Sequence, residues 1–536
     1  MDRPLFLGFD VAMPGPKTIE PAALATEGVA RHNKGRMSMR PFWNRGIALI
    51  ALIAIGLSVF NLERGRSGLE ISPLSIGTTP ATFYRKPGSS GPLVVVAHGF
   101  AGSRQLMQAY SLSLAQSGYA VLAFDFEGHG RNRVPMSGDV TAIDGTTALL
   151  IAETRRVIAA GRALPGVTDG IALLGHSMAT DILVRVAIEE RRQGTPIDAV
   201  VAISMFSEAV SANVPARLLG ISGEWERLLR AVALDAVHQV QPDAVEGETV
   251  AAPGVLRRAV VAPHVEHVGV LYSATALSEA RNWLDDTFER GSDAALVLPG
   301  PWILLLMAGI VCLLRPLVSL LPKAAHRPVS ISARRFWISI LLPAGLVPLV
   351  AVTFYVPFLP VLVADYLMIH LVLYGGLQLA LLGVWRQGFA GFSLVAICLL
   401  ALWGCLVFGV AMDRYAASFM PNVERFQIVA ILAIATVPFM VADAHVSGGG
   451  RGVWWRRIAA RVAILVSLGA ASVLDPARLT FVFIILPVLV LFYLVHGLMG
   501  RWVARQSGCL SAGLGLGLCL AWALGVSFPL FAAGGS

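Results

Sequence analysis

The decapeptide Ile171 to Thr180, Ile-Ala-Leu-Leu-Gly-His-Ser-Met-Ala-Thr, ends an apolar run in a glycine and sets Ser177 midway between two small residues, Gly175 and Ala179. This is the form of a nucleophile elbow. A strand meets a helix there through a turn so tight that the residues two before and two after the serine must be small for the neighbouring chains to pass. The serine Oγ is then held up at the strand tip beside the first amides of the helix, which can stabilise an oxyanion. The chemistry such a spacing permits is attack of a hydroxyl on a carbonyl carbon. Because the spacing is common in itself, its weight comes from the elements around it.

Those elements alternate. Two short strands, Leu69 to Leu74 and Ala81 to Arg85, precede an apolar run at Leu93 to Ala97. A helix over Gln105 to Gln116, a strand at Tyr119 to Phe124, a helix over Gly145 to Ala160 and a strand at Gly170 to Leu174 follow. After the elbow come a helix over Met178 to Arg192 and strands at Ala199 to Ile203, Arg217 to Ile221 and Arg257 to Ala262. Apolar strands alternating with amphipathic helices predict an α/β fold with a doubly wound, mostly parallel sheet.

That segment has ordinary soluble composition, but its flanks do not. Over 536 residues, 56% are hydrophobic and 14% charged, and the mean hydropathy is +0.69, which is too apolar for a water-soluble globule. The reading is an integral membrane protein with one soluble domain between membrane spans. All five cysteines, Cys312, Cys398, Cys405, Cys509 and Cys519, fall in the apolar runs. The soluble segment therefore has no disulfide to staple it and no cysteine cluster for zinc. No metal or cofactor is expected. The net charge of +8 is assigned to arginines in short loops beside apolar runs, where they set topology, so no nucleic-acid partner is expected.

Four segments follow: 1–45, a disordered cytoplasmic tail; 46–62, an uncleaved transmembrane signal anchor; 67–295, the α/β domain; and 296–536, a polytopic membrane domain with about eight all-α transmembrane helices. Basic residues flank both sides of the soluble segment, at Arg31, Lys34, Arg36, Arg40 and Arg45 and again at Arg315, Lys323, His326, Arg327, Arg334 and Arg335. If both flanks are cytoplasmic, the soluble domain lies across the membrane, in the periplasm or exterior of a bacterium. Alternating the later runs puts Arg386, the Arg451 to Arg461 group, Arg501 and Arg505 inside, with the C-terminus outside. Asp365, His370, Asp443, His445 and His496 lie near or within these runs, and an ionisable group in a span is by default a functional hypothesis.

The soluble segment resembles an α/β-hydrolase. The resemblance is carried by His98-Gly99-Phe100 after one strand, Asp125-Phe126-Glu127-Gly128-His129-Gly130 after the next, and Gly175-His176-Ser177-Met178-Ala179. It covers roughly 68–290 and says nothing about the membrane half. In such enzymes the His-Gly-x turn and the residue after the nucleophile supply the oxyanion amides, which carries over to the backbone N–H groups of Phe100 and Met178. Asp125 and His129 read as loop-shaping residues. Chain order in the fold is serine, acid, histidine. The turn Ser222-Gly223-Glu224-Trp225-Glu226 offers Glu226 as the acid, with Glu224 as runner-up, and His264-Val265-Glu266-His267-Val268 offers His267 as the base, with His264 at a solvent-facing turn. Only about a dozen residues separate Ile203 from Arg217, where many relatives insert a helical lid. The site is expected to be open, or covered by something else.

The resemblance implies a membrane-embedded serine hydrolase of the esterase or lipase kind, acting through an acyl-enzyme on an ester, thioester or amide. Its partners would be a small or lipid-like acyl substrate and the membrane lipids. Two other readings stay open. One is a transporter or channel carrying a catalytically silent hydrolase-like domain, and the other is an acyltransferase that hands its acyl group to an acceptor other than water.

Overall fold

The computed structural model describes residues 40–139, 142–323, 331–361, 363–387 and 392–532. The tail expected at 1–45 falls almost wholly outside the described residues, as do His326 and Arg327. Ile47–Ser536 is one compact unit that holds the sheet and all of the apolar helices except the first turns of the one beginning at Arg40. Helix α1 (Arg40–Arg66) leads into β1 (Glu70–Ile76), β2 (Thr79–Arg85), β3 (Gly91–Ala97), α2 (Gln108–Gln116), β4 (Ala120–Phe124), α3 (Ala148–Arg162) and β5 (Val167–His176). Then come α4 (Met178–Arg192), β6 (Ala199–Ile203), β7 (Arg217–Gly223), α5 (Arg227–His238), β8 (Thr249–Ala252), β9 (Val255–Ala262) and α6 (Ala274–Thr287).

The nine strands form one sheet in the order β1-β2-β4-β3-β5-β6-β7-β9-β8. Pairing is parallel from β4 through β9 and antiparallel only at the margins, where β1 pairs β2, β2 pairs β4, and β8 pairs β9. Strands β3, β4 and β6 are buried along their whole length, as apolar runs covered on both faces must be. Alternate residues serve the two faces: Leu93, Val95 and Ala97 join one core, Val94 and Val96 the other. The doubly wound sheet expected from the sequence is thus the observed one. Three elements are additional to that expectation, the four-residue edge strand β8 and the amphipathic helices α5 and α6. Helix α2 begins at Gln108, three residues later than expected, because 101–107 are taken up by turns.

The remaining helices are apolar. They are α7 (Gly300–Val318), α8 (Ala333–Thr353), α9 (Ala364–Val384), α10 (Leu394–Leu402) continuing through a π turn into α11 (Phe408–Tyr415), and α12 (Val423–Val446). After these come α13 (Trp454–Leu474), the single turn α14 (Pro476–Leu479), α15 (Val482–Ser507) and α16 (Cys509–Ser527). Among the described residues nine helices are long and apolar enough to cross a membrane, with α1 as the first and α10–α11 acting as one. The chain is a multi-pass membrane protein.

Small residues bring the bundle together. A Cβ on Gly513 would lie 2.5 Å from the Cα of Val441, and one on Gly517 would meet the Cα of Val437, so α16 packs backbone to backbone on α12 through a G-x-x-x-G pair. Thr436 adds a hydrogen bond across that contact, its hydroxyl donating to the Gly517 carbonyl at 2.8 Å. The ionisable residues singled out in the spans are buried. Asp365 accepts hydrogen bonds from the Tyr355 hydroxyl and the amides of Phe358 and Tyr366 at the start of α9, and His370 bridges Tyr366 and Ser467. Helix α12 runs to Val446, taking Asp443 and His445 inside it.

Gly517→Leu is expected to cost about 1–3 kcal/mol of stability by overpacking, read as a lower unfolding midpoint of the detergent-purified protein. Gly56→Leu, at a position facing open space, should leave the midpoint unchanged.

Candidate active site

Ser177 caps α4 with φ 53° and ψ −120°, a conformation L-residues adopt only when their surroundings impose it. The imposition is visible on both sides. The Ser177 amide donates to the Ile203 carbonyl at 2.9 Å, tying the elbow to the end of β6. A Cβ on Gly175 would sit 2.6 Å from a Leu183 methyl and 3.1 Å from the Cβ of Ala179, so the small residues are required by the close pass of α4 over β5. A Cβ on Gly99 would come within 3.1 Å of the Ser177 Cβ. The His98-Gly99-Phe100 turn at the end of β3 therefore lies directly against the serine, and Met178 opens α4 on its other side, where first-turn amides have no intrahelical partner.

Ser177, Glu226 and His267, 90 residues apart from first to last, converge. His267 Nε2 lies 3.1 Å from Ser177 Oγ, and its Nδ1 lies 2.6 Å from Glu226 Oε1. An ionised carboxylate only accepts, so the proton between them sits on Nδ1, leaving Nε2 free to accept the serine proton. The acid is sealed in, with 5% of its side chain exposed, whereas the base is open, with 42% exposed. Burial works against the charge on Glu226. Hydrogen bonds from His267, the Gly223 amide at 2.6 Å and the Ser204 hydroxyl at 2.8 Å together outweigh it and hold the carboxyl below its ordinary range. Glu224 and His264, the runners-up, face each other instead: the Glu224 carboxylate accepts from the His264 amide at 2.7 Å and lies 3.1 Å from its ring Nδ1, at the surface.

Asp125 accepts from the amides of Arg104 and Arg131 at 2.7 and 3.0 Å and pairs with the Arg104 guanidinium. His129 Nδ1–H donates to the Glu127 carbonyl at 2.8 Å, and its ring lies edge-on to Phe100 at 5.5 Å. Burial pushes the pKa of His98 and His129 down, which favours neutral rings packed behind the turn that carries Gly99.

Two site residues were not legible in the sequence. Ser204, at φ 51° where β6 ends, donates to Glu226, and only the parallel pairing of β6 with β7 brings it there. His176 Nε2–H donates to the His267 carbonyl at 2.9 Å, with the two rings 4.6 Å apart. Burial and the neighbouring His267 push its pKa down to about 3, so it is a neutral prop for the base loop. Its position inside the elbow was the available signal. Among the described residues no group of three or more His, Cys, Asp or Glu is arranged to hold a metal ion. A cavity of about 580 Å³ lined by Arg66, Gln108, Leu296, Trp302 and Tyr415 includes none of these site residues.

A mostly parallel sheet with a strained serine between β5 and α4 defines an α/β-hydrolase, and residues 88–248 match the family model described as serine aminopeptidase, S33. The N-terminal part of the chain thus has an α/β-hydrolase-like, mostly parallel sheet, and a region of membrane-length helices is joined to it. Solved structures similar to it include dienelactone hydrolase from Anabaena variabilis, at 18% identity over 41% of this chain and 98% of that one with a TM-score of 0.32. A hormone-sensitive lipase from a metagenome library is 14% identical over 46% of this chain and 99% of that one, with a TM-score of 0.32. An epoxide hydrolase from an endophytic Streptomyces is 13% identical over 42% and 97%, with a TM-score of 0.30. No curated protein matches the chain significantly.

Ser204→Ala removes one of the donors that hold Glu226 ionised, so the carboxyl should titrate at higher pH. The expected outcome is about tenfold slower turnover, in line with loss of one hydrogen bond to a charged group. The acid limb of the pH–rate profile should move upward. An unmoved limb would mean that Ser204 only packs.

Proposed function

We propose that the protein is a serine hydrolase that cleaves a carboxylic ester, or a thioester or amide by the same chemistry, through an acyl-enzyme on Ser177. The observation that carries the proposal is the continuous line from Glu226 through His267 to Ser177 Oγ, at 2.6 and 3.1 Å. In this reading Ser177 Oγ bonds to the carbonyl carbon as its proton passes to His267 Nε2. The carbonyl oxygen takes the negative charge, held by the amides of Phe100 and Met178. Collapse breaks the bond to the leaving alcohol, which takes the proton from His267. Water deprotonated by the same nitrogen then releases the acid and restores the serine. Glu226 keeps the imidazole in the tautomer this needs and stabilises the imidazolium that forms.

A silent domain would have no reason to keep a strained serine, a base within reach and an acid with three donors together, and this supports catalysis over the accessory reading. Esters are favoured over amides because they carry the better leaving group. The basic loops support a cytoplasmic side opposite the hydrolase, which puts the site in the periplasm or exterior of a bacterial cell membrane, with α1 as signal anchor.

The purified full-length protein should hydrolyse p-nitrophenyl butyrate with an initial burst of nitrophenol as the acyl-enzyme fills. Ser177→Ala should abolish both phases, and Glu226→Gln should lower kcat by about 10³–10⁴-fold. Turnover that persists in Ser177→Ala would refute the assignment of the nucleophile.

A further inference from the structure

The connection between β6 and β7, all of it described, contains no helix, so no lid covers the site from there. On that side of the site, Phe206, Trp225 and Val268 are 60%, 64% and 47% exposed, each within two residues in sequence of Ser204, Glu226 or His267. The opposite side is covered, and by the membrane half. The ring of Phe100, which follows the Gly99 packed against Ser177, stacks on the ring of Phe481 at 5.6 Å and 29°. Phe481 is the residue immediately before α15, one of the membrane-length helices. The oxyanion turn therefore lies one aromatic ring away from the mouth of the bundle.

That contact is held by a series of polar ties on the loops that border the oxyanion turn. The Gly128 carbonyl accepts from the Arg425 guanidinium at 3.0 Å and from the Leu530 amide at 2.8 Å. Met136 exchanges backbone hydrogen bonds with the same C-terminal segment, its amide donating to Leu530 and its carbonyl accepting from Ala532, both at 2.8 Å. Ser103, three residues past Phe100, accepts from the Ser418 amide at 3.0 Å, and Arg131 pairs with Asp413. Phe531 completes one of the two cores of the sheet. The sheet-bearing part and the bundle are thus tied together around the Phe100–Phe481 contact.

We propose that the bundle is the lid of this hydrolase and that Phe481 walls its acyl site, so that the substrate is an ester whose acyl chain comes from an amphiphile in the adjoining membrane leaflet. The inference rests on Ser177 forming an acyl-enzyme. A chain leaving the bilayer at the start of α15 meets Phe481, then Phe100, then the oxyanion turn, and apolar contact along that path offsets its withdrawal from lipid. The bonds made and broken are those of ester hydrolysis at Ser177, with water as the second substrate and a fatty acid as product.

The test compares kcat/KM for p-nitrophenyl decanoate and p-nitrophenyl acetate, using the full-length protein in nanodiscs. Phe481→Ala should lower the decanoate-to-acetate ratio by about tenfold, the effect of losing contact with about two methylenes, mainly through KM. Phe481→Leu should restore most of the ratio, and Phe481→Trp should shift preference toward shorter chains. Labelling of Ser177 by a fluorophosphonate monitors each variant's fold. An unchanged ratio with labelling intact, or a parallel loss on both esters, overturns this inference alone. A wild-type protein that neither hydrolyses the esters nor takes the label overturns the reading of Ser177 and this inference with it.

Discussion

The hydrogen bond between Glu226 and His267 is the interaction on which the rest depends. At 2.6 Å it sets which ring nitrogen carries the proton, and so whether the serine faces an acceptor or a donor. Its strength comes from keeping the carboxylate charged in a buried place, which needs the Gly223 amide and Ser204 hydroxyl as well as the histidine. Gly223 ends β7 and Ser204 directly follows β6, two strands that pair in parallel. The sheet therefore does more than support the site. Its register lines up the ends of β5, β6 and β7, so that nucleophile, acid and supporting hydroxyl reach one point, while the turn after β9 supplies the base.

Strain and close packing complete the arrangement. Ser177 stays at positive φ because glycine and alanine on either side let α4 pass close over β5, and because the Gly99 turn closes from β3. That turn is the point where the membrane half takes hold. Through Phe481, Arg425, Ser418 and the last described residues of the chain, the bundle touches the oxyanion turn and the loop after β4. A hydrolase that needed the membrane only as a tether would need α1 alone. The additional helices instead reach the catalytic face.

Much of this was legible in the sequence wherever the constraint is local. The elbow could be read because its small residues sit two positions from the serine. Glu226 and His267 could be read because each follows a recognisable strand in the order the fold imposes. The apolar helices followed from length and hydropathy. What escaped depends on approach across space: Ser204 meets Glu226 only through strand pairing, and Phe481 meets Phe100 from the other half of the chain. His176 was masked by its position as the variable residue of a motif. Edge strand β8 is too short to carry a period. Helix α12 passes through Asp443 and His445 to Val446, because packing against α16 carries it beyond the charge at which an apolar run would normally end.

The most direct measurement is labelling of intact spheroplasts with a membrane-impermeant fluorophosphonate, followed by peptide mapping of the adduct. The account predicts an adduct on the Ser177 peptide, lost in Ser177→Ala and formed without opening the membrane. An adduct formed only after the membrane is opened would reverse the orientation. No adduct under either condition would contradict the activated serine on which the account is built.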